Sequence, residues 1–148
     1  MEEDKIYKID LIEPIVISDI SQEKLDEDFT EELYYYITPE DISQNKVAVI
    51  GDDTFYIRCD PKKIKKIEFF ISKYHTNEIN DVSVDIIKNN EIYNSIGKDD
   101  MVQFGELFDD YRLTYTTKDD VLDKILKYDI NYIDDIDKKI LGEDIENL

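Results

Sequence analysis

Residues 47–71 read VAVIGDDTFYIRCDPKKIKKIEFFI. Two runs rich in β-branched and aromatic residues, Val47–Ile50 and Thr54–Cys59, flank Gly51-Asp52-Asp53. A short Gly/Asp loop between such runs predicts a β-hairpin. Asp60-Pro61 then pairs a capping residue with a proline at the first helical position. Ile64, Ile67, Ile71 and Tyr74 follow at helical spacing, with Lys62, Lys63, Lys65 and Lys66 between them. A hairpin running directly into a helix sets the class as α+β; a strand through Ile67, Phe69 and Ile71 is the competing reading of the last segment. The lysines form the chain's one basic cluster, and the expectation is that they pair with neighbouring carboxylates.

Upstream, Ile6 to Ile17 predicts a strand broken or bulged at Pro14 and lying at a sheet edge, because proline lacks the ladder donor. Ser21 suits a helix cap, and Leu25, Phe29, Leu33 and Tyr36 recur on one helical face with Glu23, Glu27 and Glu31 opposite. Thr38-Pro39-Glu40-Asp41 predicts a short second helix. Downstream, Val82, Val84 and Ile86 alternate, Asn89-Asn90 is turn-like, and Glu91 to Ile96 suggests a return strand, together a second hairpin. Met101, Phe104, Phe108 and Tyr111 predict a helix, Leu113 to Thr116 a short strand, and Thr117 with Asp120 a helix cap ahead of Val121, Leu122 and Ile125. Ile133, Ile136 and Ile140 mark a last helix that Gly142 closes. The expected architecture is a single acidic α+β domain over residues 1–148. Its antiparallel sheet is built from hairpins, with helices packed mainly on one face.

The 148 residues include 24 Ile, so a core is available without metal or disulfide. Net charge is −19, beyond the magnitude of about 2–8 that suffices to keep a small domain dissolved. Residues 1–60 carry net −12, residues 61–90 net +2 and residues 91–148 net −9. Such a field repels nucleic acid and anionic membranes and attracts basic proteins. Sixteen Lys against two Arg, with a single Ala, fits an AT-rich genome such as that of a low-GC bacterium or its phage. One cysteine, Cys59, permits no internal disulfide and is read as a buried strand residue. The acidic start MEEDKIYK is unlike a targeting signal, and no apolar run reaches membrane-spanning length, so a cytoplasmic protein of the bacterial or phage-infected cell is expected.

Four aspartate pairs stand between residues 98 and 137: Asp99-Asp100, Asp109-Asp110, Asp119-Asp120 and Asp134-Asp135. Three fall where helices begin and favour the helix dipole. Asp109-Asp110 falls toward a predicted helix end, where the dipole disfavours it, and Glu106 adds like charge three residues away. A locally unfavourable pair suggests a partner. The expected partner-binding set is Asp99, Asp100, Glu106, Asp109, Asp110, Tyr111, Tyr115, Asp119, Asp120 and Asp123. Eleven Tyr supply further contact material, and Tyr34-Tyr35-Tyr36 must leave at least one ring near the surface.

Catalytic signals are weak. The single His75 has no partner motif, and four Gly make no phosphate-binding loop. The acidic run from Asp129 lacks calcium-loop spacing. The leading expectation is a non-enzymatic inhibitor without cofactor or metal. Its carboxylates would occupy the basic groove of a nuclease or other nucleic-acid-binding protein, in place of DNA's charge of one per about 1.7 Å of axis. Phage anti-restriction and anti-CRISPR proteins, which act as DNA mimics, share this general character in charge and size, with no motif in common. Two alternatives stand beside it. One is an immunity protein neutralising a bacterial toxin. The other is a divalent-metal module or enzyme using Asp129, Asp134, Asp135 and Asp137.

Overall fold

A computed structural model describes residues 4–44, 46–51, 53–91 and 101–142, with backbone only for 101–103. The chain divides into two compact units, Met1–Val82 and Ser83–Leu148.

The first unit is α+β. It contains β1 (Lys5–Pro14), α1 (Gln22–Tyr36), α2 (Pro39–Ser43), β2 (Val47–Ile50), β3 (Thr54–Cys59), α3 (Pro61–Ile71) and β4 (His75–Asp81). The antiparallel sheet has the order β2-β3-β1-β4. Its registers place Ile9 opposite Phe55 and Ile79, and Ile57 opposite Tyr7 and Val47. Alternation puts Tyr7, Ile9, Leu11, Phe55, Ile57 and Cys59 on one face. There they meet Ile64, Ile67, Phe70 and Ile71 of α3 and Phe29, Leu33 and Tyr36 of α1 in one core. The opposite face carries Lys8, Asp10, Thr54 and Arg58, although Ile6, Ala48 and Tyr56 on it are also buried.

The predicted caps form. Ser21 accepts a hydrogen bond from the Lys24 N–H, and Asp60 from the Lys63 N–H at 2.8 Å. Thr38 and Asp41 exchange bonds as a capping box, with Pro39 entering the helix behind them. Gly51 sits at φ +59 in the hairpin loop, a conformation that costs glycine little. Lys63 of the basic cluster is drawn to Asp41 at 3.2 Å. Cys59 is buried, and burial pushes its thiol up to about 12.

Two local readings are corrected. β1 is interior rather than an edge strand; Pro14 is tolerated because pairing with β3 ends at Asp10, and a register shift follows Leu11 on the β4 side. The fourth strand is His75–Asp81, not Val82–Ile86. Its sequence HTNEIND has one core-facing isoleucine, Ile79, so its place comes from pairing with β1 and not from an apolar pattern. Polar edge strands of this kind also discourage pairing with other chains. The return strand expected at Glu91–Ile96 lies outside the described residues beyond Glu91.

The second unit is helical in its described residues: α4 (Ser83–Lys88), α5 (Met101–Tyr115), α6 (Lys118–Lys127), a 3-10 turn at Ile130–Tyr132 and α7 (Asp135–Leu141). Ser83–Lys88 is helical although Val84 and Ile86 alternate; Ile86 is buried and Val84 is exposed. Leu113 to Thr116 is no strand: α5 continues through Tyr115 with Leu113 in solvent. Thr117 and Asp120 close a capping box on α6, and Asp134 and Asp137 close another on α7. Val121, Ile133 and Leu141 form the core between these elements. Gly142, at φ +48, ends α7.

Candidate partner-binding surface

The extension of α5 changes the meaning of Asp109-Asp110. The pair lies more than a turn inside the helix, so the dipole penalty expected for it is relieved. Asp109 also has a cation: its carboxylate is 3.9 Å from Arg112 Nη1, one turn on. Glu106 and Asp110 are exposed and stand four residues apart on the same helix. Like charges at that spacing repel by roughly 0.2–0.5 kcal/mol.

The other expected contact residues separate into surface and interior. Asp119 and Asp123 are exposed on α6, one turn apart. Asp120 caps Thr117 and pairs with Lys88. Burial raises its carboxyl, but the hydrogen bonds from Lys88 and Thr117 outweigh that and hold it below the usual range. Tyr111 is only 4% exposed, a core residue whose ring lies 4.6 Å from that of half-buried Tyr115. Asp99 and Asp100 lie outside the described residues. The surface members are therefore Glu106 and Asp110 with half-exposed Asp109 on α5, and Asp119 and Asp123 on α6.

A second acidic face belongs to the first unit. Glu23, Asp26, Glu27 and Glu31 step along exposed α1 around Thr30. On the same helix Lys24 pairs with Asp28 at 3.1 Å, and Glu32 accepts from the Tyr74 hydroxyl at 2.7 Å. Those contacts leave Glu23, Asp26, Glu27 and Glu31 without an ion-pair partner among the described residues. The sequence placed Glu23, Glu27 and Glu31 of this stripe on the solvent side of an amphipathic helix; Asp26 joins them only in the structure. At its far end Tyr34 and Tyr35 are exposed, as three consecutive tyrosines require.

A charge cluster that sequence patterning missed is buried in the second unit. Arg112 and Asp137 are 0% exposed and Lys124 is 1%. Arg112 donates to both oxygens of Asp134 at 2.7 Å and lies 2.9 Å from Asp137 Oδ1. Lys124 Nζ donates to the same Asp137 oxygen at 2.9 Å and to Asn90 Oδ1 at 3.0 Å. Asn90 Nδ2 in turn donates to Asp137 Oδ2 at 3.2 Å. One signal was present in the sequence: a chain with sixteen lysines keeps Arg here, and a planar fork is what bidentate carboxylate pairing needs.

This cluster takes up two of the four carboxylates assigned to a metal module, because Asp134 and Asp137 face Arg112 and Lys124. Asp129 holds a non-glycine backbone at φ 153 and accepts from the Asn131 N–H. Among the described residues no three His, Cys, Asp or Glu side chains are gathered to hold a metal ion.

The cluster makes stability depend on pH. Burial raises the Asp134 carboxyl, but the Arg112 hydrogen bonds, the Asp137 N–H and the nearby cations bring it below the ordinary value. A depressed folded pKa contributes stability that is complete above the unfolded value of about 3.9 and lost as pH falls through the folded one. The urea midpoint of the helical unit is expected to fall as pH drops below the unfolded carboxylate value of about 3.9. Asp134→Asn should flatten that dependence, read by circular dichroism at each pH. Lys124 behaves oppositely: burial pulls its ammonium below the ordinary lysine value despite Asp137. That shift marks a cost of the charged form, relieved only as pH rises toward about 10.4.

No protein-family model matches this chain, and no curated protein or solved structure matches it either. No helix among the described residues is long and apolar enough to cross a membrane.

Proposed function

We propose that the chain is a non-catalytic acidic inhibitor that binds the basic nucleic-acid-binding surface of a partner protein, in the manner of phage anti-restriction or anti-CRISPR proteins that mimic DNA. One observation carries this reading. The acids divide into those spent on caps and ion pairs, such as Asp41, Asp120, Asp134 and Asp137, and an exposed stripe of Glu23, Asp26, Glu27 and Glu31 that forms no ion pair among the described residues. The stripe on α1 repeats each helical turn, and a turn rises about 5.4 Å. Its four acids span about 12 Å, roughly one charge per 3–4 Å, near the ~3.4 Å of axis per phosphate on one strand of a duplex. Steering by such a field speeds association and makes it sensitive to salt.

The test is inhibition of DNA cleavage by a panel of basic nucleases: a guide-RNA effector, a restriction enzyme and a nuclease toxin domain. At least one should be inhibited, with binding that weakens more than about tenfold between 50 and 200 mM salt. Glu106→Lys/Asp110→Lys, which leaves Asp109 beside Arg112, and Glu27→Lys/Glu31→Lys should keep the native circular dichroism. One or both pairs should raise Kd more than about tenfold. Failure to inhibit any member, or a Kd indifferent to both charge reversals, overturns the proposal.

A further inference from the structure

An open apolar groove of about 270 Å³ lies in the first unit between α1, α2 and the β2 end of the sheet. Phe29, Leu33, Ile37, Val49 and Phe55 line it, and Ile42 and Tyr34 form its rim. Tyr34 is 58% exposed, Ile42 52% and Val49 46%, so the lining reaches solvent. Its polar side-chain groups are the Thr30 hydroxyl and, at the rim, the Tyr34 hydroxyl. Small-molecule sites usually measure about 300–1,000 Å³ and carry several convergent polar groups. This groove is smaller and lacks them, which suits one or two inserted side chains better than a cofactor.

Its border defines the occupant. Thr30 lines both the groove and the acidic stripe of Glu23, Asp26, Glu27 and Glu31. The i, i+4 steps from Asp26 to Thr30 to Tyr34 lead from carboxylates to the apolar rim without a break. We infer that this groove receives the apolar face of a basic amphipathic helix from the partner protein. Its aliphatic or aromatic anchors would enter between α1 and β2, and its Lys or Arg residues would lie against α1. Helix-in-groove recognition places anchors at i, i+3, i+4 and i+7, a face a lysine-flanked helix can present. The inference rests on the acidic-inhibitor reading for the partner's charge and adds the element that is recognised.

Two synthetic peptides of about 18 residues test it, one with Leu at the anchor positions and Lys elsewhere, the other with Ser replacing every Leu. Binding to the full chain is followed by fluorescence anisotropy, and the contact is located by methyl NMR. The Leu/Lys peptide should bind at least about tenfold more tightly than the Ser/Lys peptide. Its addition should shift the methyls of Leu33, Ile37 and Val49. Ile42→Gln with Val49→Gln, both at exposed positions, should bring the Leu/Lys peptide down to the level of the other. Glu27→Lys/Glu31→Lys should weaken both peptides together. Equal affinities for the two peptides, or methyl shifts away from the groove, overturn the inference and leave the acidic reading standing. Groove shifts from the Leu/Lys peptide with no inhibition anywhere in the nuclease panel would instead retain the groove and sink the inhibitor.

Discussion

Asp137→Asn should destabilise the helical unit by roughly 3–5 kcal/mol, the usual cost of removing one member of a buried ion pair. Asp137 is shared by Arg112 and Lys124, both buried, and its second oxygen accepts from Asn90. With the carboxylate neutralised, buried Arg112 keeps Asp134 and the more distant Asp109, buried Lys124 loses the carboxylate at 2.9 Å, and neither cation can regain water without opening α5, α6 or α7. The cost is thus a stranded charge, more than the worth of a contact. Replacing the charges together separates these ideas. Arg112→Met with Lys124→Met and Asp137→Leu should recover most of the loss, since apolar substitution of a whole buried pair is often neutral or stabilising. Urea unfolding with hydrogen exchange of the α5–α7 amides reads both variants. A single substitution costing less than about 1 kcal/mol would show that water reaches the cluster.

Phe70→Ala should cost about 3–5 kcal/mol in the α+β unit, the range for emptying a buried aromatic position. Phe70 is fully buried and stacks between two rings of α1, Phe29 at 5.3 Å and Tyr36 at 5.1 Å, with Tyr74 edge-on at 5.8 Å. Its removal takes away both the transferred area and the ring pairs that join α1 to α3. Aromatic pairs add roughly 0.5–1.5 kcal/mol beyond area. Phe70→Leu should cost less, because the cavity is smaller. Phe69→Ala, one residue earlier but 72% exposed, should change the urea midpoint little. Equal effects at the two positions would contradict the helical phase of α3.

The helical phases and caps were legible because they are local. Ser21, Thr38, Asp60 and Thr117 each bond a backbone N–H within three residues, and the hairpin at Gly51 depends on one turn. Glu23, Glu27 and Glu31 of α1 were legible for the same reason, as the complement of Leu25, Phe29 and Leu33. Asp109-Asp110 was misread because its significance hung on where α5 ends, and nothing adjacent stops the helix before Thr116.

Local patterning by itself thus determined the α+β class, the position of most helices and the large anionic excess. Only the tertiary structure decided which acids are surface and which interior, because that depends on partners distant in sequence. Asp134 is held by an arginine 22 residues away and Asp137 by an asparagine 47 away, and no periodicity encodes either distance. β4 was decided in the same way: a strand almost without apolar residues exists because β1 offers it a ladder of backbone hydrogen bonds. The groove beside Thr30 arises where α1, α2 and β2 leave space between them, a matter of packing that one-dimensional pattern does not carry.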